Sequence, residues 1–278
     1  QNVTLQLVKD DCSTLLDTPV TEVVTFPANE HGRITSPSIT VNKAYTAVRC
    51  LLTDSEDPGT SHCSSDSFAI RPPGFDLDIA NNAPADSGGA VLGIAGVSRA
   101  LEITTTEGYT LTPDVTGIID HDGIDSASSL SINFISPVDQ GGNVVAISDT
   151  YTYDEVGYFY INENSISDSS FTSVDAVTGD CIDNSFSNSL VNGKVGCDFG
   201  NTEDYWVGRF IPKNFTVSIV DNGLMTAACS TFSYAGDAVD FSVNPEITIT
   251  AVNQNGDTTE KYIGDYAKLV AADVIVDD

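Results

Sequence analysis

The sequence predicts an all-β protein built as a tandem array of immunoglobulin-like β-sandwiches. Three observations carry this expectation. Apolar residues alternate with polar ones in many short runs, as half-buried strands require. Turn signals separate these runs at short intervals: Asp57-Pro58-Gly59, Asp122-Gly123, Gln140-Gly141-Gly142-Asn143, Asn222-Gly223 and Asn255-Gly256-Asp257. Finally, two stretches 140 residues apart echo each other. In Phe68–Ile79 and Gly208–Ile219, Pro72 aligns with Pro212, Phe75 with Phe215, Leu77 with Val217 and Ile79 with Ile219. Proline cannot donate to a strand ladder and keeps the preceding residue extended. The repeated phrase therefore reads as one sandwich handing over to the next, against the plainer alternative of two strands with chance prolines.

The two prolines divide the chain into segments 1–72, 73–211 and 212–278, the first and last expected to be partial sandwiches. In the first segment Val3, Leu5 and Leu7 alternate with polar neighbours, and further strands are expected over 20–26, 33–41, 43–52 and 66–71. The second segment predicts strands over 75–80, 100–105, 111–118, 128–135, 143–149, 156–162 and 204–210. The third predicts 214–220, 230–234, 246–253 and 260–270. Segments 82–98 and 163–200 are rich in Ser, Asn, Asp and Gly and read as long loops or insertions. No amphipathic helix is evident.

Composition bounds the partners. The chain has 278 residues and a formal charge of −29, from 40 acidic and 11 basic side chains. Residues 73–205 hold 21 of those acids and 2 of the bases, so the field is concentrated in the middle. Nucleic acid and anionic membrane surfaces are poor partners for such a surface. A disordered acidic tail is excluded by the 41% hydrophobic content, spread through alternating runs. No apolar run reaches the roughly 18 residues needed to span a membrane. The chain starts at Gln1 with neither an initiator Met nor a signal peptide, and reads as a piece processed from something longer.

Six cysteines occur without a Cys-x-x-Cys pair, which disfavours zinc and thioredoxin-like sites and favours disulfides in an oxidising compartment. Cys181 and Cys197 bracket a polar segment with little core of its own, and a bridge between them is expected. Cys50 and Cys63 flank a turn-rich connector and are expected to close a hairpin, with Cys12–Cys50 as a competing inter-sheet pair. Cys12 and Cys229 remain unassigned.

Reactive constellations are sparse, and an enzyme is not expected. There are three histidines, His31, His62 and His121, and no nucleophile elbow, phosphate loop or zinc-protease motif. His62 next to Cys63 is better explained by a disulfide than by a thiolate pair, because strand neighbours point to opposite faces. The glycine-rich run from Gly88 to Gly96 reads as a flexible apolar loop. Asp120, Asp122 and Asp125 lie in a tight turn and offer hard oxygen ligands to calcium, the one cofactor the sequence raises. Their spacing departs from an EF-hand, with Ser131 where the bidentate Glu belongs, and a solvated Asp-Gly turn is the plain alternative. Asn2-Val3-Thr4 and Asn214-Phe215-Thr216 match the N-glycosylation pattern. Trp206, beside Tyr205, reads either as a sugar-stacking platform or as core or interface packing.

Several phrases taken in order resemble a known family: Cys63-Ser-Ser-Asp-Ser-Phe-Ala-Ile-Arg-Pro72, Tyr153-Asp-Glu-Val-Gly-Tyr158, Val207-Gly-Arg-Phe-Ile-Pro-Lys-Asn-Phe-Thr216, Ala228-Cys-Ser-Thr-Phe-Ser-Tyr234, Thr248-Ile-Thr-Ala-Val-Asn-Gln-Asn-Gly-Asp-Thr-Thr259 and Tyr266-Ala-Lys-Leu269. From about residue 45 onward the chain resembles the MshQ-like family of MSHA biogenesis proteins, whose large domain of unknown function belongs to bacterial type IV pilus systems. The resemblance implies a secreted, non-enzymatic structural or adhesive module at the bacterial cell surface or pilus. It supplies no catalytic residues, and relative to the family domain the chain is expected to stop inside its third sandwich. Implied partners are other copies of the chain or pilus and cell-surface proteins. Two alternatives stand beside this expectation. One is a filament subunit whose N-terminal strand, with Val3, Leu5 and Leu7, completes a neighbour's sheet. The other is a lectin-like module that binds host or environmental glycans through Trp206 and the Asp-rich turn.

Overall fold

Both strand–proline–strand phrases fold as strands that stop before the proline and resume after it, at Ile70 to Asp76 and at Ile211 to Asn214. In this computed structural model, described for residues 1–27, 38–81, 86–226, 232, 235, 236 and 238–274, the chain is all-β. The expected strand 33–41 lies largely outside the described residues, as does 230–234 with Cys229.

The first segment forms one five-stranded sheet from β1 (Asn2–Lys9), β2 (Thr21–Thr25), β3 (Tyr45–Asp54), β4 (Ser61–Cys63) and β5 (Phe68–Ile70). Its order is β2-β1-β3-β4, with β5 also on β3, and these pairs are antiparallel. Leu7, Leu16 and Val48 are its buried core, flanked by Val20, Ile39, Val41, Phe68 and Ile70.

The middle segment supplies two four-stranded sheets. One joins β6 (Asp76–Ile79), β8 (Arg99–Thr106), β11 (Leu130–Gly141) and β12 (Val144–Tyr153) in the order β11-β12-β8-β6. The other joins β7 (Gly93–Ile94), β10 (Ile118–Asp120), β13 (Gly157–Ile161) and β16 (Tyr205–Ile211) in the order β10-β13-β16-β7. A small third sheet combines β9 (Asp114–Val115), β14 (Ile166–Asp168) and β15 (Phe199–Gly200). Side chains from these sheets share one core that includes Phe75, Leu101, Ile103, Tyr151, Tyr153, Phe159, Val207 and Phe210. The aromatic rings interlock within it, as in the Tyr153–Phe210 contact at 5.3 Å between centroids. Alternation places every second residue of β13 inward: Gly157, Phe159 and Ile161 are buried while Tyr158 and Tyr160 face outward.

The structure departs from expectation in three places here. The glycine-rich run around Gly93 is a strand, because Gly93 and Ile94 pair in parallel with Phe210 and Ile211. The single strand expected over 111–118 is split into β9 and β10, with Gly117 at φ 62° turning the chain between two sheets. The 163–200 excursion carries β14 and a short helix, α1 (Ser173–Thr178), which ends at Gly179 in the left-handed conformation.

Cys181 and Cys197 are bonded, with Cα atoms 5.1 Å apart. The expected Cys50–Cys63 bridge is corrected: Cys63 bonds Cys12, and Cys50 is a free thiol. Register explains the exchange. Cys63 lies opposite Leu51, so it shares that residue's face, whereas Cys50 lies opposite Leu7 and turns toward the other face. A one-residue offset on a strand puts the two sulfurs on opposite sides of the sheet.

The third segment contains β17 (Asn214–Asp221), β18 (Leu224–Met225), β19 (Phe241–Val243) and β20 (Glu246–Val252), paired as two separate antiparallel ladders. Its apolar positions stand largely in solvent, with Val217 at 62% and Ile219 at 67% exposure. No helix among the described residues is long and apolar enough to cross a membrane, which says nothing of membrane-spanning strands.

Candidate functional site

Outward-facing positions on β13 and β16 assemble a row of rings on the surface of the middle sandwich. Tyr160 pairs with Trp206 across the ladder, and their ring centroids lie 4.4 Å apart. Trp206 also meets Tyr158 at 5.2 Å. Tyr158 continues to His121 at 6.1 Å, and His121 to Tyr266 at 4.0 Å. Two glycines make the row possible. A side chain at Gly208 would run into Tyr158 Cβ at 2.7 Å, and one at Gly157 would meet His121 Nδ1 at 2.1 Å. Trp206, the sole tryptophan, is 38% exposed and so belongs to the surface, not the core. The Tyr160 hydroxyl hydrogen-bonds Asp204, which lifts the phenol's pKa and depresses that of the carboxyl.

The Asp-rich turn lies at one end of this row. Asp120 is buried, and its Oδ1 accepts the backbone N–H groups of Asp122 at 3.3 Å and Ile124 at 3.2 Å. Lys261, from the segment after β20, brings its ammonium to 3.0 Å from Asp120 Oδ2 and 3.0 Å from Asp122 Oδ2. Burial pushes the Asp120 carboxyl up, but hydrogen bonds from its surroundings and from Lys261 more than offset this and hold it below the carboxylate range. Burial pulls the Lys261 ammonium down, and its contacts with Asp122 and Asp120 reverse that, leaving it raised. Asp125 instead accepts the Ala127 N–H. Where the sequence offered calcium ligands, the turn is organised around an ammonium, and among the described residues no three acidic, His or Cys side chains converge as a metal site.

The same segment is clasped at two further points. The Glu155 carboxylate accepts the N–H groups of Glu260 at 3.2 Å and Lys261 at 3.0 Å. Tyr266 covers His121, whose ring nitrogens find no hydrogen-bond partner among the described residues. Burial lowers the His121 pKa. Of the groups named from sequence, Trp206 and the Asp-rich turn are thus brought onto one face, bridged by Tyr158 and His121. The N-terminal strand-addition residues Val3, Leu5 and Leu7 lie elsewhere, in a strand already paired with β2 on one side and β3 on the other. Sequence reasoning missed Tyr158 and Tyr160, although their alternation with buried Phe159 is the signal that would have found them.

Two features thus define the class: an all-β, disulfide-bonded, multi-sheet chain with an aromatic surface row. Residues 199–277 match the family model described as DUF6701, third domain, a family of unknown function. No curated protein matches the chain, and no solved structure does.

Proposed function

We propose that this chain is a non-enzymatic adhesive module of an extracellular bacterial surface protein, of the kind associated with MSHA-type pili. The observation that carries the reading is the row Tyr160, Trp206, Tyr158 on an open sheet face, because rings that line up beside solvent suit stacking against sugar faces. The lectin-like alternative is thereby folded into the adhesive one. Two disulfides favour an oxidising compartment. Two buried carboxylates are engaged in structural contacts: Asp168 accepts from the Tyr109 hydroxyl at 2.6 Å and from Ser170 and Phe171, and Asp120 is held by Lys261. The MshQ-like assignment rests on the sequence phrases from residue 45 onward, alongside the third-domain match.

The immunoglobulin-like reading of the middle unit draws support from strand order. Lettering its seven main strands in chain order from β6, with β7 left out, gives A-B-E-D in one sheet and C-F-G in the other, with the short parallel strand β7 beside G. A unit boundary at Pro72 accords with two apolar clusters, one of Leu7, Leu16 and Val48 and one running from Phe75 to Phe210 that takes only Ala44 from the first segment.

The test is retention of the oxidised protein on an array of immobilised polysaccharides. At least one neutral or acidic glycan should retain it, and Trp206→Ala should weaken that retention tenfold or more, about 1.4 kcal/mol, without lowering the melting temperature. Absence of retention on every glycan would overturn the adhesive reading. The filament-subunit alternative is favoured by a different observation, the exposed apolar positions Val217 and Ile219 on a ladder of only two strands. Electron microscopy separates the two, as filaments against single elongated particles.

A further inference from the structure

The aromatic row does not end on the sheet. Tyr266 is also part of the wall of a cleft of about 230 Å³ between the middle sandwich and the third segment, which it shares with Arg209, Phe215, Tyr262 and Lys268. This volume lies below the range of about 300–1,000 Å³ that drug-sized ligands fill, and suits one ring. Phe215 and Tyr262 meet edge to face at 5.4 Å, and the Tyr262 hydroxyl accepts the N–H groups of Lys268 at 2.9 Å and Leu269 at 2.8 Å. That arrangement fixes the lysine-bearing strap over the rings.

Charge distinguishes this cleft from the rest of the molecule. The whole chain has 11 basic side chains against 40 acidic ones, yet two bases line this one cleft. Neither Arg209 nor Lys268 forms an ion pair among the described residues, unlike Lys9, Lys43, Arg49 and Lys261. Arg209 is steadied instead by its Nε–H to Gly89 O at 2.9 Å. Asp86 and Asp265 act on the Tyr266 side of the cleft, where Arg209 opposes them, and acids farther off are screened beyond about 8 Å at physiological salt.

The backbone decides which kind of ligand fits. Around the cleft, Phe210 and Ile211 are paired with strands on their flanks, the carbonyls of Arg209 and Ile211 accept Leu92 and Ala95, and Pro212 has no N–H to give. A peptide would find no free ladder edge at Phe210 to Pro212; Phe215 lies on β17, which pairs with β20 alone among the described residues, so a peptide is one of the probes below. A ligand recognised through ring faces and a negative charge would find both.

We infer that this cleft binds a carboxylate-bearing sugar ring, a uronic-acid residue of an acidic glycan. The carboxylate meets Arg209 and Lys268 while the ring packs on Tyr262 and Tyr266, and the rest of the glycan runs along Tyr158 and Trp206. The inference rests on the adhesive reading and names its ligand class.

The experiment compares a galacturonic-acid oligomer with its methyl ester, which replaces each carboxylate by an uncharged group one methyl larger, by calorimetric titration into the oxidised full chain. A neutral galactose oligomer and an acidic peptide with a free C-terminal carboxylate serve as further probes. The free acid should bind at least tenfold more tightly than the ester. Lys268→Glu and the milder Lys268→Gln should remove that difference, with melting temperatures unchanged because the Lys268 side chain is exposed. Equal binding of acid and ester overturns the inference and leaves the adhesive reading intact. Peptide binding as tight as that of the sugar acid overturns the sugar class. Failure of every glycan, neutral or acidic, overturns both.

Discussion

The Lys261 ammonium lies 3.0 Å from a buried Asp120 carboxylate oxygen, joining the segment after β20 to the turn after β10 across 141 residues of chain. Asp120 is fully buried as a side chain and Lys261 is 17% exposed, so removing the lysine leaves a carboxylate without its counter-charge. Breaking a buried pair this way costs about 3–5 kcal/mol. Because Asp120 keeps two backbone N–H donors, Lys261→Met should cost about 2–3 kcal/mol. Chemical denaturation of both proteins checks this; a change below about 0.5 kcal/mol would mean that the pair is only a surface contact.

The His121 contact makes the same junction sensitive to acid. Burial lowers the imidazole pKa below its ordinary 6.5; Asp122 and Asp120 oppose that shift, Lys261 adds to it, and Tyr158 and Tyr266 pack against the ring. A depressed pKa contributes stability that is present above pH 6.5 and is lost as pH falls through the folded-state value. Asp120 adds a second loss in the same direction, which begins as pH falls past the carboxylate value of 3.8 and is complete only well below it. The melting temperature should therefore fall between pH 7 and pH 5, and His121→Phe should flatten that slope. An unchanged slope in the variant would locate the proton uptake elsewhere.

Calcium should have no specific effect. Because Lys261 already bridges Asp120 and Asp122, the melting temperature should rise with ionic strength equally in calcium and sodium salts, through screening of the acidic middle segment. Site-bound calcium would add about 2.7 kcal/mol at a hundredfold excess over its Kd. A calcium-specific rise abolished by Asp122→Asn would contradict the ammonium-centred turn.

Disulfide connectivity is directly checkable. Peptide mapping without reduction should recover Cys12–Cys63 and Cys181–Cys197, with Cys50 alkylated only after unfolding, since burial also raises its thiol pKa. In the chain-entropy account the bridges contribute about 4 and about 3 kcal/mol, because the first spans 51 residues and the second 16. A Cys50–Cys63 peptide would refute the register drawn for β3 and β4.

The strands were legible in sequence because alternation is a local signal. Val3, Leu5 and Leu7, or Phe159 between two outward tyrosines, announce a face without any knowledge of the partner strand. The prolines announced the strand breaks between Ile70 and Asp76 and between Ile211 and Asn214 for the same local reason. What sequence could not supply was register and long-range pairing. The choice of Cys12 over Cys50 as the partner of Cys63 turns on a one-residue offset between β3 and β4. The role of Asp120 turns on a lysine 141 positions away, and carboxylates in a tight turn look alike whether a metal or an ammonium completes them. Trp206 had two open readings because its face depended on which neighbours closed the sheet.

Trp206 is the only tryptophan in the chain, so its fluorescence reports one place, the middle of the aromatic row. Titration with a glycan that the protein retains on an array is the most direct test of the adhesive account. The account predicts a saturable change in indole emission whose midpoint matches the binding constant measured independently, and loss of binding in Tyr160→Ala. Tight glycan binding that leaves Trp206 emission unchanged would contradict it.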